Sequence, residues 1–298
     1  MLIDAHIHIW DRDMLPDESV RNYLEPARKF TEMYGDIFDF YLDAEIPFSD
    51  YDSKKEGLDE MITYSGMDKV VVLATDFGLI NEGRMSNEEY MKWLYDQCQS
   101  DDRLLLFVGV DPNRKNAVEM LERFYDLYEP AGLKMYPATG FYPDDPRYEP
   151  FWKKVEELGL PVTTHAGMAL APLDEKYCHP SFMRAVAERH PDTKFIIAHL
   201  GGKFHDELFP LMEACDNVYT DCSALQGWTI NSADIIRSRL IEAVSRFPDR
   251  VVYGSDFPLY EYSISASRFV NLIRDTDLGG ERNTDALLGG NMARILGI

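Results

Sequence analysis

The chain opens Met1-Leu-Ile-Asp-Ala-His-Ile-His-Ile-Trp10, an apolar run that carries two histidines two residues apart. On a β-strand, residues two apart project to one side, about 7 Å apart at Cα, so both imidazoles can reach one metal ion from one wall of a pocket. In a chain with seven histidines such a pair also arises by accident, and its weight depends on the rest of the chain.

The rest of the chain repeats the same pattern. After 2–9, short apolar, β-branched runs recur at 69–75, 104–110, 132–136, 161–165, 194–200, 217–221 and 250–255, which reads as eight strands. Helical periodicity lies between them near 54–65, 86–99, 114–128, 146–158, 180–189, 203–215 and 232–247, with two more helices expected near 263–275 and 284–296. Ser86-Asn-Glu-Glu89 is a capping-box sequence, and Ser232 stands where an N-cap is needed. Alternating strands and helices argue for a parallel sheet, and eight such units in 298 residues fit a closed (β/α)8 TIM barrel better than an open doubly wound sheet. The expectation is one barrel domain over 1–298, with an extended first βα loop and an extra C-terminal helix. Neither a Gly-x-Gly-x-x-Gly after the first strand nor a Walker sequence is present, which argues against nucleotide-binding folds.

One interval breaks the rhythm. Residues 11–53 form a long acidic and aromatic insertion in the first βα loop, with Tyr23, Phe30, Tyr34, Phe38, Phe40, Tyr41 and Phe48. A connection that long is a lid, a binding loop or an accessory element rather than structureless chain. Helical spacing over 18–35 predicts an accessory helix over the barrel mouth, with a subunit contact, and so a homo-oligomer, as the alternative.

Composition narrows the partners. The net charge of −22 repels phosphate backbones and anionic membrane surfaces, so the expected partner is a small-molecule substrate, with no nucleic acid and no membrane. Cys98, Cys178, Cys215 and Cys222 form no close pair and read as reduced thiols of a cytoplasmic protein. No run approaches the length of a bilayer span, and with His6 and His8 at work in the first strand no removable targeting peptide is expected ahead of it.

A barrel of this kind places its chemistry at the C-terminal ends of its strands. Three more groups fall there: His165 after Pro161-Val-Thr-Thr, His199 after Phe195-Ile-Ile-Ala, and Asp256 after Val251-Val-Tyr-Gly-Ser. Imidazoles and a carboxylate suit Zn²⁺ and related divalent ions while leaving a position for water. The other histidines read differently: His190, at a helix end, as a surface residue, His205 as part of a helix start, and His179 as a loop residue. Trp10, Tyr136, Thr164, Phe257, Trp228 and Arg147 are candidates for the mouth. Gly254-Ser255 lacks the G-x-S-x-G elbow, which argues against a serine hydrolase.

His6-x-His8, His165, His199-Leu-Gly-Gly202 and Gly254-Ser-Asp-Phe-Pro258, with the closing Leu287-Leu-Gly-Gly-Asn-Met-Ala-Arg-Ile-Leu296, resemble the metal-dependent amidohydrolase superfamily over essentially the whole chain. Within it the chain looks like the amidohydrolase family 2 branch of barrel hydrolases and decarboxylases. The resemblance implies that His6, His8, His165 and Asp256 bind a catalytic metal, Zn²⁺ for preference, and that His199 is a second-site ligand or the acid/base facing bound water. Asp256 could take the water proton and pass it to the leaving group. Lys134, in Gly132-Leu-Lys-Met-Tyr-Pro137, sits where some superfamily members carry a carboxylated lysine bridging two metals; otherwise it would hold a substrate carboxylate or make an ion pair. One metal per chain is expected, two if Lys134 is carboxylated, with Tyr136 and Trp10 as further substrate contacts. The resemblance leaves three functions: a hydrolase of an amide, lactone or ester of a small molecule, which the Gly-Leu-Lys-Met-Tyr-Pro stretch resembles more; a non-oxidative decarboxylase of an aromatic or muconate-type acid; and a non-catalytic metal-binding protein of the same fold.

Overall fold

Eight short parallel strands pair in sequence order, β1 (Ile3–Ile7), β2 (Lys69–Leu73), β3 (Leu104–Gly109), β4 (Gly132–Met135), β5 (Val162–Thr164), β6 (Phe195–Ile197), β7 (Val218–Asp221) and β8 (Val251–Val252). The structure is a computed structural model and describes residues 1–25, 56–229, 232–261 and 264–298. The seam between β8 and β1 is joined by Ala5 N to Tyr253 O (2.9 Å), His8 N to Phe257 O (2.8 Å) and Asp256 N to His6 O (2.8 Å), so the sheet curls into a TIM barrel. One barrel helix follows each strand: α1 (Glu56–Ser65), α2 (Asn87–Gln99), α3 (Ala117–Tyr128), α4 (Glu149–Glu157), α5 (Arg184–Arg189), α6 (His205–Ala214), α7 (Ala233–Arg246) and α8 (Ala266–Arg274). The expected start signals operate. Ser86 and Glu89 exchange both bonds of a capping box, and Ser232 accepts from Ile235 N.

Inward and outward faces alternate along the strands. Ile3, Ala5, Val71, Leu73, Phe107, Ile196 and Val252, with Met292 and Ile295 from the C-terminal helix, fill the barrel interior as an apolar plug, and the outward residues pack against the helices. Gly132 is needed at this plug, because a Cβ there would lie 2.4 Å from the Phe107 ring. Further along the same faces the inward positions turn polar, at Lys134 and Asp221, and the site begins.

The C-terminal helix expected over 284–296 is instead two helices, Glu281–Asp285 and Asn291–Leu296, joined by a wide turn over Ala286–Gly290. Two contacts explain the break. The Leu287 carbonyl accepts from Tyr253 N at 2.9 Å, and Gly289 runs so close to the start of β1 that a Cβ would meet Met1 O at 2.3 Å. In the first loop, residues 17–25 are helical, as the accessory helix predicted over 18–35 requires; its continuation past 25, and most of the insertion, lie outside the described residues. No helix among the described residues is long and apolar enough to cross a membrane.

Candidate metal centre

A change of pairing register in β1, between Asp4 and Ile7, decides where its histidines point. Strict alternation from Ile3 and Ala5 would turn Ile7 into the barrel; the irregularity sends Ile7 to the outer core and His6 and His8 to the cavity. Asp4 holds this bend. It is buried, and its Oδ1 accepts from His6 N and from Ser255 N, both at 3.0 Å, which ties the bend to the segment carrying Asp256. Burial pushes the Asp4 carboxyl up to about 7. Asp256 itself has φ 60° and His199 φ 63°, left-handed conformations that cost energy for non-glycine residues and gather at functional sites.

The hydrogen bonds fix which face of each ring looks into the cavity. His6 Nδ1 donates to Asp221 Oδ2 (2.8 Å) and His8 Nδ1 donates to the Leu73 carbonyl (2.9 Å), so in each neutral imidazole the Nε2 lone pair points inward. Those two Nε2 atoms lie 3.4 and 3.3 Å from Asp256 Oδ1. His199 Nδ1 donates to Ser223 Oγ (2.8 Å) and His165 Nε2 donates to the Met168 carbonyl (2.9 Å). This leaves His199 Nε2 and His165 Nδ1 facing each other as acceptors at 3.1 Å. Five acceptor atoms are thus aimed into one cavity. Lys134 Nζ, 3.5 Å from His6 Nε2, is at the limit of hydrogen-bond distance and cannot satisfy them all.

Such a set fits a divalent cation. Two imidazole nitrogens and a carboxylate oxygen converge, and the second nitrogen of each first-strand ring is tied to a carboxylate or a carbonyl, the arrangement that orients metal-binding histidines. The ligand atoms of His6, His8 and Asp256 lie within 4.8 Å of one another. A second group of the same span, His6, His199 and Asp221, is a hydrogen-bonded network, since Asp221 accepts from His6 Nδ1–H and from the His199 backbone N–H (2.9 Å).

Electrostatics reinforce the picture. Burial opposes ionisation of Asp256, and the His8, His6 and His199 rings around it lower its carboxyl below the usual range when they carry a second proton. Burial, then the charge of Lys134, pushes His6 down to about 3, and burial lowers His165 and His199. Lys134 is buried and pushed down to about 8. The cavity holds about 280 Å³. Trp10 stacks on His8 at 4.9 Å, and Phe77 meets Trp10, Tyr23 and Tyr136 edge to face at 6.4, 6.1 and 5.4 Å, giving one aromatic wall.

The amidohydrolase family 2 model matches residues 3–298. The chain belongs to this amidohydrolase family. Its members are metal-dependent, in keeping with the donor set above. No curated protein matches the sequence. Among solved structures, an uncharacterised TIM-barrel protein from Bordetella bronchiseptica is 19% identical, with 99% of this chain and 98% of that one covered at a TM-score of 0.72. A 5-carboxyvanillate decarboxylase from Sphingomonas paucimobilis is 18% identical (100% and 99% covered, TM-score 0.66). A probable 2-pyrone-4,6-dicarboxylic acid hydrolase from Acinetobacter baumannii, solved with citric acid, is 14% identical (100% and 99%, TM-score 0.65). At these identities the likeness is one of fold, and it spans both hydrolytic and decarboxylating enzymes.

In this amidohydrolase the structure brings His6, His8, His165, His199, Asp256, Lys134, Tyr136 and Trp10 to one cavity. His165 stands beside His199, outside the compact His6–His8–Asp256 group. Thr164 and Phe257 do not line the cavity, and Arg147 is an exposed partner of Asp145; the Trp228 side chain lies outside what is described. His190 is not a surface residue: it is 2% exposed, with Nδ1 3.1 Å from Glu156, because α5 ends against α4 and buries it. His205 does begin α6, and His179 caps a short turn through Ser181 N. Sequence reasoning missed Asp221, although it ends the seventh run as Asp256 follows the eighth, and the same strand-end rule would have found it. It also passed over Phe77 as a wall residue and named Tyr23 only as part of the insertion expected over the mouth; nothing local in the sequence says that the loop carrying Phe77 folds into the wall.

Proposed function

We propose that this amidohydrolase is a hydrolase that uses a divalent metal, Zn²⁺ for preference, to cleave an amide, lactone or ester bond of a small molecule. The observation that carries the reading is the convergence of the Asp256 carboxylate with the His6 and His8 Nε2 atoms, 3.4 and 3.3 Å from its Oδ1, at one point of the cavity. A carboxylate placed beside the two imidazole nitrogens can accept a proton from a water bound there, whereas a decarboxylase needs a donor to its carbanion. His6, His8 and Asp256 would hold the ion, and bound there it would polarise the scissile carbonyl and lower the pKa of a water to near 7. Asp256 accepts the water proton at the carboxylate and returns it to the leaving group. His199, with a bare Nε2 turned inward, orients the water by accepting from its O–H. Lys134, pushed down to about 8, keeps most of its charge at neutral pH, which suits a substrate carboxylate, and one metal per chain accords with the compact His6–His8–Asp256 group. The aromatic wall excludes water and stacks the body of the substrate. A cytoplasmic location accords with Cys178, Cys215 and Cys222, which are buried and form no disulfide.

One observation favours a second reading, decarboxylation of an aromatic acid: the same lysine and aromatic wall would also grip such a substrate. A panel of lactones, amides, esters and hydroxybenzoates, offered to Zn²⁺- or Mn²⁺-loaded enzyme and followed for both acid release and CO₂, separates the two. Acid release without CO₂ is expected. CO₂ from a hydroxybenzoate, with the lactones, amides and esters untouched, would replace the hydrolase by the lyase.

A further inference from the structure

Asp221 and Ser223, at the end of β7, stand behind the cavity rather than in its lining. Asp221 is fully buried and both of its oxygens are in use. Oδ2 accepts from His6 Nδ1 at 2.8 Å. Oδ1 accepts from His199 N (2.9 Å), from Ser223 N (3.0 Å) and from the Ser223 hydroxyl. The serine, whose O–H donates to Asp221, keeps its lone pairs for the His199 Nδ1–H at 2.8 Å and the His6 Nδ1–H at 3.1 Å.

We propose that Asp221 and Ser223 are positioning residues that jointly set the tautomers of His6 and His199, forcing both rings to present a bare Nε2 to the cavity. A carboxylate can only accept, so the ring nitrogen facing it must carry the hydrogen, and the opposite nitrogen is left free. Through Ser223 the same carboxylate imposes this on a ring from a different strand. Asp221 also holds the backbone N–H of His199, whose φ of 63° is followed by Leu200 at 48°, so it pins a strained turn as well as two side chains. One buried carboxylate thereby presets groups from β1 and from the turn after β6 in the state needed before any ion arrives. The metal-affinity part of this inference rests on the proposed metal site; the tautomer part does not.

Asp221→Asn is the informative substitution because it keeps the shape and removes one acceptor. Three donors converge on Oδ1, so the amide oxygen stays there and the amide nitrogen faces His6 Nδ1. That reverses the demand: His6 must accept at Nδ1 and carry its hydrogen on Nε2. Histidine ¹⁵N chemical shifts in the metal-free protein read this directly. The expected result is Nδ1–H for His6 and His199 in the wild type and Nε2–H for His6 in Asp221→Asn, with Zn²⁺ affinity, measured by chelator competition, down about 10- to 100-fold. Ser223→Ala is expected to release the His199 tautomer and leave His6 as in the wild type, and it decides the matter if Asp221→Asn does not fold. Unchanged histidine shifts in the folded variants would overturn the proposal. A wild type that takes up no Zn²⁺ yet shows the predicted shifts would overturn the metal reading and leave the tautomer control standing.

Discussion

Asp111→Asn should make the protein more stable, and by an amount that depends on pH. Asp111 follows β3 and is 4% exposed; burial first, and the neighbouring Asp76 carboxylate second, raise its carboxyl from 3.8 to about 6. The folded chain therefore holds this proton more tightly than the unfolded chain does. Below pH 4 the group is protonated in both states and costs nothing. Between pH 4 and 6 the unfolded state sheds the proton first, so stability falls as pH rises, and above 6 the full cost is present. At about 1.4 kcal/mol per pH unit the penalty is about 3 kcal/mol, with the relief from Arg114, paired with Asp76 at 2.7 Å, already contained in it. Asparagine keeps an oxygen for Asn113 N, which Asp111 Oδ1 now accepts at 2.8 Å, and carries no charge. Urea denaturation of variant and wild type from pH 4 to 8, followed by circular dichroism, should give curves that coincide near pH 4 and separate in the variant's favour by about 1–3 kcal/mol above pH 7. A difference that does not change with pH, or one that turns against the variant as pH rises, would rule out a buried, reluctant carboxylate at this position. The site shares in the outcome, because Asp76 precedes Phe77 of the cavity wall and its Oδ2 accepts from Asp111 N at 2.7 Å.

Two shorter predictions concern the reaction and the barrel. Asp256→Asn should leave the fold and melting temperature near those of the wild type while turnover falls by about 10²- to 10⁴-fold, as loss of a proton acceptor does; a wild-type rate would remove Asp256 as the essential base. Gly132→Ala should destabilise the barrel by about 1–3 kcal/mol, because its Cβ would press on the Phe107 ring at 2.4 Å inside the apolar plug, and chemical denaturation would show it as an earlier midpoint with an unchanged slope.

The fold was legible in the sequence because a parallel barrel strand, covered on both faces, must be a short apolar run, and each run stood between helical stretches. Boundaries shifted inward by up to three residues, most at β6, which ends at Ile197, and at β8, which keeps only Val251 and Val252 while its chain continues past the site. His6, His8, His199 and Asp256 were legible for the same reason: a polar group at the end of an apolar run marks the rim. What local pattern cannot hold is the long-range contact. His190 sits at a helix end as a surface histidine would, and only the packing of α5 on α4 buries it. Phe77 reaches the cavity through a loop whose course depends on the whole barrel, and Tyr23 reaches it from the helix over 17–25, whose docking depends on the barrel too. Asp221 was readable in position but not in role, since its importance lies in bonds to residues 215 and 22 positions earlier in the chain.

If the five inward acceptor atoms make a cation site, the protein must hold a metal, and the metal can be counted. Protein purified without chelators, or dialysed free of metal and titrated with Zn²⁺ or Mn²⁺, should hold about one divalent ion per chain, and His8→Ala should lose it while still folding. Less than about half an equivalent in the wild type, with no uptake on titration, would show that the cavity is not a cation site.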